Sequence, residues 1–167
     1  IAGSGLGNSF TIDATATLSF SGGIKNIDEI LFTNLGNGTW NAGAIALADG
    51  AELQIGGNFT VATSAGIQVA SGSGDVSILA GGVYNDIGPG HNIQAEFDND
   101  GTVRVASGAL NLSGATGEHS GLFDITNIGS INFGTGTHTF LGNAQLVTTA
   151  SVSPGTFNLS TANLVIN

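Results

Sequence analysis

The sequence predicts an all-β fold: a right-handed parallel β-helix, or β-solenoid, of about seven turns, with roughly 23 residues and three short strands to a turn. Three observations predict it. A hexapeptide recurs down the chain, apolar triplets keep step with it on either side, and the composition favours short strands and tight corners over helices.

The hexapeptide has the form Gly–any–apolar–Asn–apolar–small. It stands as GALNLS at 108–113, GSINFG at 129–134 and GTFNLS at 155–160. GTWNAG, starting at Gly38, is a looser copy. GVYNDI at 82–87 keeps the Gly, the aromatic and the Asn, and GNFTVA at 57–62 has Thr60 in place of Asn. Successive starts are about 23 residues apart on average.

Ahead of the hexapeptide come Leu53-Gln54-Ile55, Val76-Ser77-Ile78, Val103-Arg104-Val105, Phe123-Asp124-Ile125 and Ala144-Gln145-Leu146. Behind it come Ile45-Ala46-Leu47, Ile67-Gln68-Val69, Ile93-Gln94-Ala95 and Leu164-Val165-Ile166. Each triplet alternates apolar and polar, the period of a strand with one buried face. Three such strands make one turn of a triangular solenoid, and turns stacked about 4.8 Å apart set like residues over one another. A β-sandwich is the structural rival. It gives no reason for every third strand to carry one pattern, and only Asn37-Gly38 offers a tight hairpin turn.

Glycine supplies 28 of the 167 residues and charged residues only 8%, so the best helix formers are scarce and corner formers plentiful. Residues 38–167 carry the repeats as a single domain. Residues 1–37, with SFTIDATATLSF, lack the hexapeptide and are expected to form an irregular first turn or cap. The repeat stops inside a strand pattern at Asn163–Asn167, so the chain is expected to be part of a longer one or to stack on neighbours at its ends.

The net charge of −10, with Lys25 and Arg104 the only Lys or Arg, argues against nucleic acid, whose phosphates need several cations. It disfavours anionic membrane surfaces too, and no apolar run is long enough to span a bilayer. With no cysteine there is neither a disulfide framework nor a thiolate metal site.

The passages NDGTVRVASGALNLSG at 99–114 and SGLFDITNIGSINFGTGTHTF at 120–140 resemble the repeats of large secreted bacterial surface proteins, the β-helix adhesins of the filamentous-haemagglutinin and autotransporter-passenger kind. The resemblance spans residues 38–160 and rests on a degenerate motif. It implies a right-handed β-helix, export to the cell surface and a role as stalk or adhesive filament, and it carries no catalytic residues to transfer.

Two sets of residues stand out as candidate sites. The Asn of each hexapeptide lies between apolar neighbours and should point outward, so Asn41, Thr60, Asn85, Asn111, Asn132 and Asn158 are expected to form one polar column. That column reads as a solvated face of stacked amides, or as a flat surface for glycans or lateral association. The acids Asp49, Glu52, Asp75, Glu96, Asp98, Asp100 and Glu118 all fall between one turn and the next and are expected to line one corner. Stacked like charges repel, and calcium is the natural bridging cation. Glu96-x-Asp98-x-Asp100-Gly101 imitates the start of a calcium loop, but position twelve is Ser107 where a Glu would close it; exposed turns are the competing reading.

Arg104 and Asp124 should face each other on adjacent turns as an ion pair. His91, after Gly88-Pro89-Gly90, should meet solvent. An enzyme is not expected: a lyase would lack cations, and short turns leave little chain to wall a cleft around carboxylates such as Asp98, Asp100 and Asp124. The expected function is a structural segment of an exported, extracellular adhesin or filament, self-associating or end-stacking, with a surface glycan as the other partner. The alternative is a carbohydrate-active β-helix whose site is incomplete here.

Overall fold

The structure is a computed structural model and describes residues 7–113, 116–149, 155–160 and 162–167. Among these the chain forms strands and tight corners and no helix, winding into a β-solenoid of about seven turns. Each turn contributes one strand to each of three parallel sheets.

Sheet one stacks β1 (Ser9–Ile12), β4 (Leu31–Asn34), β7 (Ala51–Ile55), β10 (Gly74–Ile78), β13 (Glu96–Asn99), β16 (Gly117–His119), β19 (Thr137–Phe140) and β22 (Asn163–Ile166). Sheet two stacks β2 (Thr17–Phe20), β5 (Asn37–Trp40), β8 (Asn58–Val61), β11 (Val83–Asp86), β14 (Thr102–Val105), β17 (Leu122–Ile125) and β20 (Gln145–Thr148). Sheet three stacks β3 (Lys25–Asp28), β6 (Ile45–Ala48), β9 (Ile67–Ser71), β12 (His91–Ile93), β15 (Ala109–Leu112), β18 (Ser130–Phe133) and β21 (Thr156–Leu159). Eight strands in sheet one make a rod roughly 34 Å long at the ~4.8 Å strand spacing.

Alternation along each strand builds the core. In sheet one Phe10, Phe32, Leu53, Val76 and Phe97 stand over one another. In sheet two Gly38, Phe59, Tyr84, Val103 and Phe123 do so, and in sheet three Ile45, Ile67, Ile93, Leu112 and Phe133. Most of these side chains are fully buried, each contributing about 1.5–3 kcal/mol of apolar burial. Gly38 keeps its place in the column because a Cβ there would strike the Phe59 ring; the gap lets Phe20 reach Phe59, ring centroids 6.1 Å apart.

Two expectations change. Residues 9–34 are not irregular: β1 to β4 join the same ladders as every later turn. A turn averages about 21 residues rather than 23. The longer value comes from a slip between faces. The copies at 38, 57 and 82 are β5, β8 and β11 of sheet two, whereas those at 108, 129 and 155 are β15, β18 and β21 of sheet three. Passing from 82 to 108 therefore covers a turn and a third, which a single-column reading takes for one. The flanking triplets slip likewise: Leu53-Gln54-Ile55 lies in sheet one but Val103-Arg104-Val105 in sheet two.

Candidate functional site

The six residues expected in one polar column divide among three places. Asn111, Asn132 and Asn158 are in register on the outer face of sheet three, with Asn92 beside Asn111 on the preceding turn. Thr60 and Asn85 are in register on sheet two, where the column continues to Arg104 and Asp124. Asn41 stands outside both, in the corner after β5, its amide donating to the Phe20 carbonyl at 2.8 Å. A Gly–x–apolar–Asn–apolar string specifies a strand leaving a corner with its Asn outward, and any face of a triangular solenoid satisfies that.

On sheet three the amides form a ladder. Asn132 Nδ2 donates to Asn111 Oδ1 and Asn158 Nδ2 to Asn132 Oδ1, both at 2.6 Å. Asn132 takes part in both bonds, so Asn132→Ala is expected to cost about 1–2 kcal/mol by urea unfolding, and Asn85→Ala close to nothing. Equal losses for the two would show that the ladder adds nothing.

The acids line a face rather than a corner. Glu52, Asp75 and Glu96 are in register on the outside of sheet one, and Ser77 stands over Asp98. Glu118 lies in β16 of the same sheet, while Asp49 and Asp100 sit in the adjoining corners. Donors partly compensate the crowding: Gln54 Nε2 and Ser77 Oγ donate to Glu52 Oε1 at 2.9 and 2.7 Å. The Glu118 amide donates to Asp98 Oδ1 at 2.7 Å, and Ser120 Oγ to Asp100 Oδ1 at 2.6 Å. Partial burial, followed by neighbouring carboxylates, raises the pKa of Asp75 and of Glu96. Asp98 is raised too, chiefly by burial, against the bond from the Glu118 amide.

The segment expected to open a calcium loop is strand β13. Glu96 and Asp98 are alternate residues there, about 6–7 Å apart along an extended chain, not wrapped around one cation. Among the described residues no three His, Asp or Glu side chains gather as a metal group.

Arg104 and Asp124 pair as expected, Nε to Oδ2 at 3.2 Å, and Thr149 Oγ1 donates to Asp124 Oδ1 at 2.8 Å. With Arg104 about half exposed, the pair adds ~0.2–1 kcal/mol.

Sequence reasoning missed two buried polar groups. His91 does not meet solvent: it is 4% exposed. Its Nε2 shares a hydrogen bond with the Tyr84 hydroxyl at 2.6 Å, and its Nδ1 faces Asp86 Oδ2 at 3.4 Å, a contact short of a well-aligned hydrogen bond. The Gly88 amide donates to Asp86 Oδ1 at 3.0 Å. Burial lowers His91 to about 4 and raises Asp86 to about 6. Further along the axis His119 and His138 stack, ring centroids 5.3 Å apart, with Nε2 and Nδ1 sharing a hydrogen bond at 3.1 Å. The signal was present: Glu118-His119 and Thr137-His138-Thr139 alternate like strands, which puts both imidazoles inward.

Sheet three also has a break. β9 and β12 meet at one residue pair, Ile67 with Ile93, where neighbouring strands share three or four. The turn from Ile67 to Ile93 spans 26 residues and carries Gly88-Pro89-Gly90 just before β12; length alone does not part the strands, since β18 and β21, also 26 residues apart, keep four pairs. Beside the break lies a cleft of about 450 Å³, with Gln68, Asn92, Gln94 and Asn111 among its walls and Pro89-Gly90 at its rim. No protein-family model, no curated protein and no solved structure matches this chain.

Proposed function

We propose that this chain is a stiff structural segment of an exported bacterial adhesin or extracellular filament that self-associates by stacking end to end. The observation that supports the reading is the stacking of three parallel sheets around one continuous apolar core. Leu146 stands under Phe123, Leu159 under Phe133, Leu164 under His138 and Ile166 under Phe140, yet all four are exposed, Ile166 by 77%. The same columns are buried on the turns above, and the strand edges beside them present free backbone donors and acceptors to any strand that stacks there. Three parallel ladders around a continuous core make a body whose length grows by addition of turns, which suits a spacer.

The test is sedimentation and electron microscopy of the 167-residue chain over a concentration series. Expected are rods that lengthen with concentration, and the paired substitutions Leu164→Lys and Ile166→Lys should return them to single units. Compact monomers at every concentration would overturn the reading.

A further inference from the structure

We propose that the cleft where β9 and β12 part is a binding site for a neutral, hydroxyl-rich ligand, a single pyranose sugar unit, held by Gln68, Asn92, Gln94 and Asn111. Its volume lies within the roughly 300–1,000 Å³ of small-molecule sites.

The choice of ligand follows from what lines the walls. In a chain of net charge −10 the lining contains no Asp, Glu, Lys or Arg. An anion would find no cation there, and a metal ion or ammonium group no carboxylate. His91, the one titratable wall residue, has its pKa lowered by burial and shares a hydrogen bond with the Tyr84 hydroxyl. The polar groups on offer are side-chain amides and the Ser64 hydroxyl, which donate and accept in equal measure and so match sugar hydroxyls.

Those amides are also free to act. Among the described residues no hydrogen bond engages the side chains of Gln68, Asn92 or Gln94, all three of them exposed. Asn111 Oδ1 is held by Asn132 in the ladder, but its Nδ2 makes only two long bonds at 3.4 Å, to the His91 and Ala109 carbonyls, and is weakly engaged where it stands.

The frame is rigid, which lowers the ordering cost of binding. Ser107 Oγ donates to the Ile87 and Gly88 carbonyls at 2.9 and 2.7 Å, tying the Gly88–Gly90 loop to the next turn. Gly108, at φ 67°, lets the Pro89 backbone lie directly against it, and Gly66 leaves room for the Asn92 carbonyl. The amide ladder to Asn132 and Asn158 fixes the far wall. The site does not rest on the filament reading, since it belongs to the middle of the rod and not its ends.

The experiment is an ¹⁵N-resolved NMR titration of the chain with galactose and with N-acetylglucosamine, alongside glucuronate and glucosamine as charged counterparts. A neutral sugar should shift resonances confined to residues 64–68, 89–94 and 109–111, and the charged counterparts should bind more weakly. Gln68→Ala with Asn92→Ala should weaken binding at least about tenfold, some 1.4 kcal/mol, with an unchanged melting temperature because both side chains are exposed. Asn85→Ala, on sheet two and outside the cleft, should leave binding intact. No shift with either neutral sugar, shifts elsewhere, equal response to the charged sugars, or an unaffected double variant would each overturn the proposal. A rod that binds no sugar would leave the filament reading standing, and a monomer that binds one would leave the cleft standing.

Discussion

Acidification from pH 7 to about 5 is expected to remove about 2 kcal/mol of stability through His119, and His119→Leu with His138→Leu to abolish most of that loss. The two imidazoles stack among aromatic rings, His119 against Phe123 and Phe140 at 5.1 and 4.9 Å and His138 against Phe133 at 5.0 Å. Burial first, then the His138 charge, lowers His119 to about 3, and burial lowers His138. The unfolded chain takes up these protons near 6.5, whereas in the folded one His119 resists until about 3 and His138 is lowered by burial. Stability from the neutral rings is therefore complete above about 6.5 and declines as the pH falls towards 3, at about 1.4 kcal/mol per pH unit for His119.

The other buried titrating pair contributes little slope. Asp86 at about 6 and His91 at about 4 together bind protons over nearly the same range as a free His and a free Asp, so folded and unfolded counts almost match. The acids of sheet one act with the opposite sign. Asp75, Glu96 and Asp98 are raised, so protonating them relieves repulsion and adds stability as the pH falls through the carboxylate range, below the onset of the histidine loss. Urea unfolding at pH 7 and pH 5 of the wild type and of the double variant, in which leucine replaces both His119 and His138, separates these effects. An equal decline in both proteins would remove the histidine pair as the cause.

Architecture was legible because a parallel solenoid writes itself into sequence twice. Period-two alternation marks each strand, as in Val103-Arg104-Val105, and recurrence at a turn's spacing marks the stack. Arg104 over Asp124 followed from that logic and stands at bonding distance. Assignment to faces was not legible. A strand of sheet two such as Asn58–Val61 and one of sheet three such as Ala109–Leu112 obey the same steric rule, Gly at the corner and apolar residues inward, so the motif cannot number the faces. Corner lengths that vary between turns hide the slip. The buried histidines were hidden by residue type, since a polar name at an inward position reads as a loop until its neighbours are placed. The cleft was hidden because it is a failure of pairing between strands 26 residues apart, and only the Gly88-Pro89-Gly90 punctuation hinted at it.

Trp40→Ala should carry a larger penalty, about 3–5 kcal/mol, a sizeable share of the roughly 5–15 kcal/mol that holds a typical domain together. Trp40 is fully buried, and on sheet two it stands between Phe20 and Val61 of the adjacent turns. Its ring also reaches across the axis to His91, centroids 5.5 Å apart and nearly perpendicular, so it joins sheet two to sheet three. Its Nε1 donates to the Gly43 carbonyl at 2.7 Å, fixing a corner that needs glycine at φ 75° and that packs on the backbone of Gly22 and Gly23. Truncation would leave a void beside Phe20, Val61 and His91, side chains held in place by strand register. Trp40→Phe, which keeps most of the ring contact and loses the Gly43 bond, should cost closer to ~1 kcal/mol. Circular dichroism is the suitable probe, because the chain has no other tryptophan. In a stacked array each turn depends on its neighbours, so Trp40→Ala should speed hydrogen exchange at the amides of Phe20 and Val61 while leaving Phe133, several turns away, near its wild-type rate. A uniform rise along the whole rod would mean that the turns unfold as a single unit and that Trp40 acts on all of them at once.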